Sequence, residues 1–221
     1  MINKNNTVLV TTTILNNNIS EKRKENIKNE MDKYKIPIYF IYGKFEKNKT
    51  FFDIFKRRII AFKQTNLQYG ILCDDDFQPH QNFLEELNKT VELLPTNWRC
   101  LHLCPGYLWG RKFRRCVTPG KLDPEGNIND LLYHNSKRFF INCGSSFFYK
   151  KKIWLGGPIA VLVNKNNIDS LLNDYINCYL KYKTINDVVL TKILNNDDYV
   201  CMEPLLGYEN EQGGVTNNKI I

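Results

Sequence analysis

Apolar and polar positions alternate in blocks along the first hundred residues. Thr7-Val8-Leu9-Val10-Thr11-Thr12-Thr13 is β-branched and apolar and predicts a central first strand. After an asparagine-rich loop, Ser20 is placed to cap a helix running to Lys35, with Ile27 and Met31 four apart on its buried face. Residues 36–42 read as a second strand, ended by Gly43. Residues 53–69 predict a helix that turns Phe55, Ile59, Ile60 and Phe62 inward. Ile71-Leu72-Cys73 is a short apolar run that ends in Asp74-Asp75-Asp76, and Phe77 resumes the apolar pattern. Strand, helix, strand, helix, strand at this pace predicts an α/β layer with parallel strands. Ligands of such sheets bind outside the carboxyl ends of the strands, so Thr11 to Thr13, Tyr42 and the three acids are expected to share one rim.

The pattern continues with a helix over residues 81–94, stopped by Pro95, and a strand over residues 98–103. Residues 107–119 are basic and aromatic, and residues 121–133 read as an irregular excursion. Residues 139–149 predict a strand pair or a bulged strand, interrupted by Asn142 and Gly144. Helices are expected over residues 168–182 and 186–194, then a short strand at 199–202. No repeat or linker divides the chain. Residues 1–221 are read as one domain, with 1–104 and 105–208 as its two functional halves.

Composition narrows the class without changing the fold. The chain is 43% hydrophobic and 24% charged, as a soluble globular protein is. Seven cysteines at irregular spacing fit a reducing compartment such as the cytoplasm better than a disulfide scaffold. The N-terminus lacks the apolar stretch of a signal peptide, and no apolar run is long enough to span a membrane. The net charge of +8 is spread over several clusters. The densest, Arg111 to Arg115 beside Trp109 and Phe113, could hold a nucleic acid, pack an aromatic ring on the apolar face of a ligand, cover an anionic membrane surface, or form plain solvated surface.

The three acids carry the candidate chemistry. On an extended segment Asp74 and Asp76 would point one way and Asp75 the other. Two carboxylates so placed repel unless a cation sits between them, and Mg²⁺ or Mn²⁺ with a substrate diphosphate would resolve the repulsion. A solvated acidic turn is the alternative. The glycine-rich loops that cradle phosphates are absent, as is the nucleophile elbow of hydrolases. Cys100, His102 and Cys104 share a strand face, but with Cys116 they match no structural zinc spacing and read as core or rim residues. His80 reads as a residue at a helix start, though it could reach the rim.

A third strand that ends in Asp-x-Asp, with the strand at residues 98–103 and the late Asn186-Asp187 pair, resembles the nucleotide-sugar-dependent glycosyltransferases of the GT-A fold. The compact, asparagine- and lysine-rich chain is similar to glycosyltransferase domains encoded by large DNA viruses, which would place it in a host cytoplasm. The resemblance implies a three-layer α/β/α fold with a central mixed, mostly parallel sheet. It implies transfer of a sugar from a nucleoside diphosphate, uridine diphosphate above all, to a hydroxyl of a glycan, glycoprotein or other acceptor. Asp76 would bind the Mn²⁺ or Mg²⁺ directly, and Asp74 would touch the ribose or the metal through water. Thr11, Thr12 and Thr13 would line the nucleotide site, with Tyr42 near the base. Arg57 or Lys63 would approach the diphosphate or sugar. Asp187 would be the general base of an inverting reaction, although it could equally be an acid that suits a helix dipole. Many members add a late histidine as a metal ligand; the last histidine here is His134, so either His134 is brought in or the metal keeps more waters. Two other functions stay open: a sugar-phosphate nucleotidyltransferase, and a basic module that binds nucleic acid or glycan without catalysis.

Overall fold

The computed structural model describes residues 1–14, 18–43, 50–103, 105–110, 113–114, 132–134, 138–143, 154–158, 160–183, 186–203 and 206–209. The chain opens with β1 (Thr7–Ile14), α1 (Asn18–Asp32), β2 (Ile38–Gly43), α2 (Thr50–Gln64) and β3 (Tyr69–Cys73). Then come β4 (Phe77–Pro79), α3 (Phe83–Val91), β5 (Cys100–His102), β6 (Pro105–Gly110), β7 (Phe113–Arg114), β8 (Leu132–His134) and β9 (Arg138–Asn142). The rest is β10 (Trp154–Pro158), β11 (Ala160–Asn164), α4 (Ile168–Tyr182), α5 (Asn186–Lys192), β12 (Asp198–Glu203) and β13 (Gly207–Glu209).

One eight-stranded sheet, in the order β2-β1-β3-β11-β5-β12-β9-β8, forms the middle layer. β11 and β9 run against the other six strands, so the sheet is mixed and mostly parallel. Alternation sorts the core into two faces. Leu9, Ile71, Leu101 and Leu162 pack on one side with Ile27 and Met31 of α1 and Phe83 and Leu87 of α3. Val8, Val10, Leu72, Val161 and Val163 pack on the other with Phe55, Ile59 and Phe62 of α2, Leu171 and Tyr175 of α4, and Val189 of α5. The result is a three-layer α/β/α architecture. The Phe62 ring lies so close on β3 that a Cβ at Gly70 would come within 2.6 Å of it, so no larger residue fits there. Among the described residues no helix is long and apolar enough to cross a membrane.

Three expectations need correction. Ser20 does not cap α1; the helix starts at Asn18, and Ser20 lies inside it, buried. α2 stops at Gln64, where Lys165 Nζ donates to the carbonyls of Phe62, Lys63 and Thr65 and closes the helix end. β11, which the sequence reading passed over, lies between β3 and β5 and is buried along its length.

Arg99, 1% exposed, ties together the starts of β5 and β12, two interior strands of the sheet. Its Nε and Nη2 donate to the two oxygens of Asp198 at 2.8 and 2.5 Å, Nη2 also to the Ile193 carbonyl at 2.7 Å, and Nη1 pairs with Asp174. Burial works against the Arg99 charge, and the Asp198 carboxylate more than restores it.

Candidate active site

β3 ends at Cys73, and the Phe77 amide donates to the Asp74 carbonyl at 3.2 Å, which closes a turn around Asp75 and Asp76. Extended alternation therefore stops before the acids. The expectation that Asp74 and Asp76 point one way and Asp75 the other is corrected: Asp75 and Asp76 share one arginine and Asp74 meets another.

Those arginines come from opposite faces of the sheet. Arg23 of α1 reaches Asp75 at 3.0 Å and Asp76 at 3.3 Å. Arg58 of α2 reaches Asp74 at 2.7 Å, and its Nε donates to Thr12 Oγ1 at 3.1 Å. Both guanidiniums are nearly closed from solvent, at 6% and 5% side-chain exposure, whereas Asp74 is 48% exposed. Three carboxylates and two guanidiniums leave the turn with one net negative charge, and Asp74 is the acid that faces solvent. Burial pushes the Asp75 carboxyl above its ordinary value, and Arg23 pulls back only part of that shift.

Thr11, Thr12 and Thr13 close the end of β1 beside this turn, all buried. Thr11 pairs with Cys73 across the β1–β3 ladder, so Thr13 stands level with the acid turn. Thr12 points to the α2 face and accepts from Arg58. Thr13 points to the α1 face, the side from which Arg23 arrives, and its hydroxyl has no hydrogen-bond partner among the described residues.

Tyr42, at the end of β2, is half-exposed, and Lys24 Nζ lies 5.3 Å from its ring centre. Arg57 donates to the Tyr42 carbonyl at 3.0 Å. The two residues line a cleft of about 430 Å³ between β2 and α2, with Tyr39, Ile60 and Gln64 among its other walls. Lys63 is not brought to the acids. It pairs with Asp169 near the C-terminal end of α2, and that helix runs back from the rim. Sequence reasoning missed Arg23 and Arg58. Arg58 had a usable signal, since it follows Phe55 by three positions and so falls on the buried stripe of α2.

α5 ends at Lys192, and β12 begins at Asp198 opposite Cys100, the first residue of β5. The start of α5, with Asp187 in its first turn, therefore lies on the rim side of the sheet. The Asp187 and His134 side chains lie outside the described residues. His80 is exposed, with its Nδ1 3.5 Å from the Gln81 carbonyl. Cys100 and His102 are core residues. The Cys100 thiol donates to Asp198 at 3.0 Å, and burial pushes it well above its ordinary value. Cys104 and Cys116 lie outside the described residues.

Successive carboxylates are the hard oxygen donors that Mn²⁺ or Mg²⁺ takes. The donor chemistry of Asp74 and Asp76 therefore suits such a cation. Their geometry presents only Asp74 openly, because Arg23 holds Asp76. Among the described residues no three His, Cys, Asp or Glu side chains gather around a point.

No family model and no curated protein sequence matches the chain. Solved structures give distant likenesses. A glycosyltransferase involved in glycosylation of the major capsid of PBCV-1 is 9% identical, with a TM-score of 0.42, over 80% of this chain and 68% of that one. A mutant Drosophila β-1,4-galactosyltransferase 7, in complex with manganese, UDP-Gal and xylobiose, is 10% identical, with a TM-score of 0.42, over 93% of this chain and 71% of that one. Neither likeness bears on the residues of the acid turn.

Proposed function

We propose that the chain is a glycosyltransferase that takes a sugar from a nucleoside diphosphate and whose donor binds at the acid turn. One observation carries the reading: three consecutive carboxylates sit in a turn at the carboxyl end of a parallel strand, on the rim where α/β sheets bind ligands. Buried arginines fix them from both faces, so the carboxylates are held rather than mobile. The unpartnered Thr13 hydroxyl beside them suits a polar ligand or an ordered water.

The residues then divide the work. Thr11, Thr12 and Thr13 border the nucleotide, and the Tyr42–Arg57 cleft takes its outer part. Mn²⁺ or Mg²⁺ held by Asp74 and Asp76 would neutralise charge on the departing diphosphate. Asp187, in the first turn of α5, takes the proton of the acceptor hydroxyl, and direct displacement then inverts the sugar. Uridine diphosphate is the nucleotide we favour, with a glycan, glycoprotein or other hydroxyl compound as acceptor.

A panel of nucleotide sugars tests the proposal, with free nucleoside diphosphate as the readout. We expect release from a uridine diphosphate sugar, faster in Mn²⁺ and abolished by chelator. Release from no donor, with pyrophosphate formed from a nucleoside triphosphate and a sugar phosphate, would replace this function with nucleotidyl transfer.

A further inference from the structure

The acid turn is unusual in what neutralises it. Arg23, 5% exposed, places one nitrogen on Asp75 and another on Asp76, at 3.0 and 3.3 Å. A guanidinium cannot shed its charge at any ordinary pH, so it is a permanent counter-ion rather than one that titrates away. A divalent cation that takes Asp76 through Oδ2 competes for the oxygen that Arg23 holds. Asp76 cannot serve both fully, because two cations on one carboxylate repel each other at short range. Arg58 does not compete in the same way. It grips Asp74 from the other face and is also anchored on Thr12, while half of the Asp74 side chain stays open to solvent.

Resting on the donor-site reading above, we propose that Arg23 is an internal cation that a divalent metal must displace: Arg23 and the metal are alternative partners of Asp76, and the metal binds by exchange. Metal alone therefore binds weakly. An anion that receives the released guanidinium, such as a diphosphate, favours exchange, because arginine matches phosphate oxygens with its forked donors. Metal and nucleoside diphosphate then bind with positive coupling, and that coupling passes through Arg23. The buried, unpartnered Thr13 hydroxyl lies on the same face as Arg23 and level with the turn, where a rearranged polar group or an ordered water would find a donor and acceptor.

Mn²⁺ titration calorimetry, with and without uridine diphosphate, tests the exchange in the parent, R23M, R23K and D76N. R23M removes the competitor, so Mn²⁺ alone should bind at least about tenfold more tightly, and the gain from adding the nucleotide should shrink. R23K keeps the positive charge and should stay nearer the parent. D76N should lose the site. If R23M does not fold in chelator because two buried acids repel, added Mn²⁺ should restore its melting transition, which reports the same exchange. Mn²⁺ binding that depends on Asp76 but is equal or weaker in R23M would overturn the exchange and leave the donor site standing. An R23M protein that Mn²⁺ cannot refold would overturn it too. Absence of Mn²⁺ and nucleotide binding from the parent and every variant would overturn both.

Discussion

His102 is 1% exposed, and burial, with only partial relief from Asp198, pushes its pKa down to about 4 from 6.5. The unfolded chain therefore takes up this proton first as the pH falls. Stability from the neutral ring is fully present above about pH 6.5 and is lost as the pH falls toward 4, by roughly 3 kcal/mol in all. Urea unfolding between pH 7 and pH 4 should show this fall, and H102Q should flatten that part of the profile. A parallel fall in H102Q would assign the acid sensitivity to other groups. Asp187→Asn should lower turnover roughly 10²- to 10⁴-fold, the span of general base catalysis, with donor affinity and melting temperature little changed. Turnover within a few-fold of the parent would remove Asp187 as the base. The acids were legible because they break an apolar run abruptly. Their partners were not. Arg23 is one of three successive basic residues, Lys22-Arg23-Lys24, and only the turn of α1 decides which of them faces inward. Side-chain direction at the acids was misread for a related reason: period-two alternation holds only while the strand lasts, and the strand ends one residue before Asp74.

At the scale of elements, Lys165 shows how a distant residue sets a helix boundary. Its ammonium donates to three carbonyls at the end of α2, at 3.1, 2.5 and 2.6 Å. Cations in that position satisfy orphan carbonyls and oppose the helix dipole. K165M should cost about 1–3 kcal/mol, read as a lower melting temperature, and hydrogen exchange should quicken first in the last turn of α2. An unchanged melting temperature would show that water caps the helix equally well. Helical spacing located both ends of α4, residues 168–182, because apolar positions recur along the whole segment. The end of α2 was out of reach, since its cap comes from a residue a hundred positions away. β11 is a short apolar run whose place in the sheet depends on pairing with β3 and β5, not on its own pattern. Lys63 was expected near the acids without regard for direction: a helix that links two parallel strands runs back from the rim, so only its first turns lie near the carboxyl ends of the strands.

At the scale of the molecule, the α/β class was legible from the rhythm of the first three strands, and the two-faced core follows from their alternation. The interleaving was not. β5, β11 and β12 come from distant parts of the chain and meet only because the sheet has to bury both faces. That assembly brings the end of β1, the acid turn after β3 and the start of α5 to one rim, which is the basis of the functional reading. The claim can be tested before any sugar or acceptor is known. Calorimetric titration of uridine diphosphate into the parent and into D76N, in Mn²⁺ and in chelator, isolates the donor site. We expect binding by the parent that needs Mn²⁺, and binding lost in a D76N protein that still melts as a folded chain. Uridine diphosphate affinity that is the same in chelator, in Mn²⁺ and in D76N would contradict the claim.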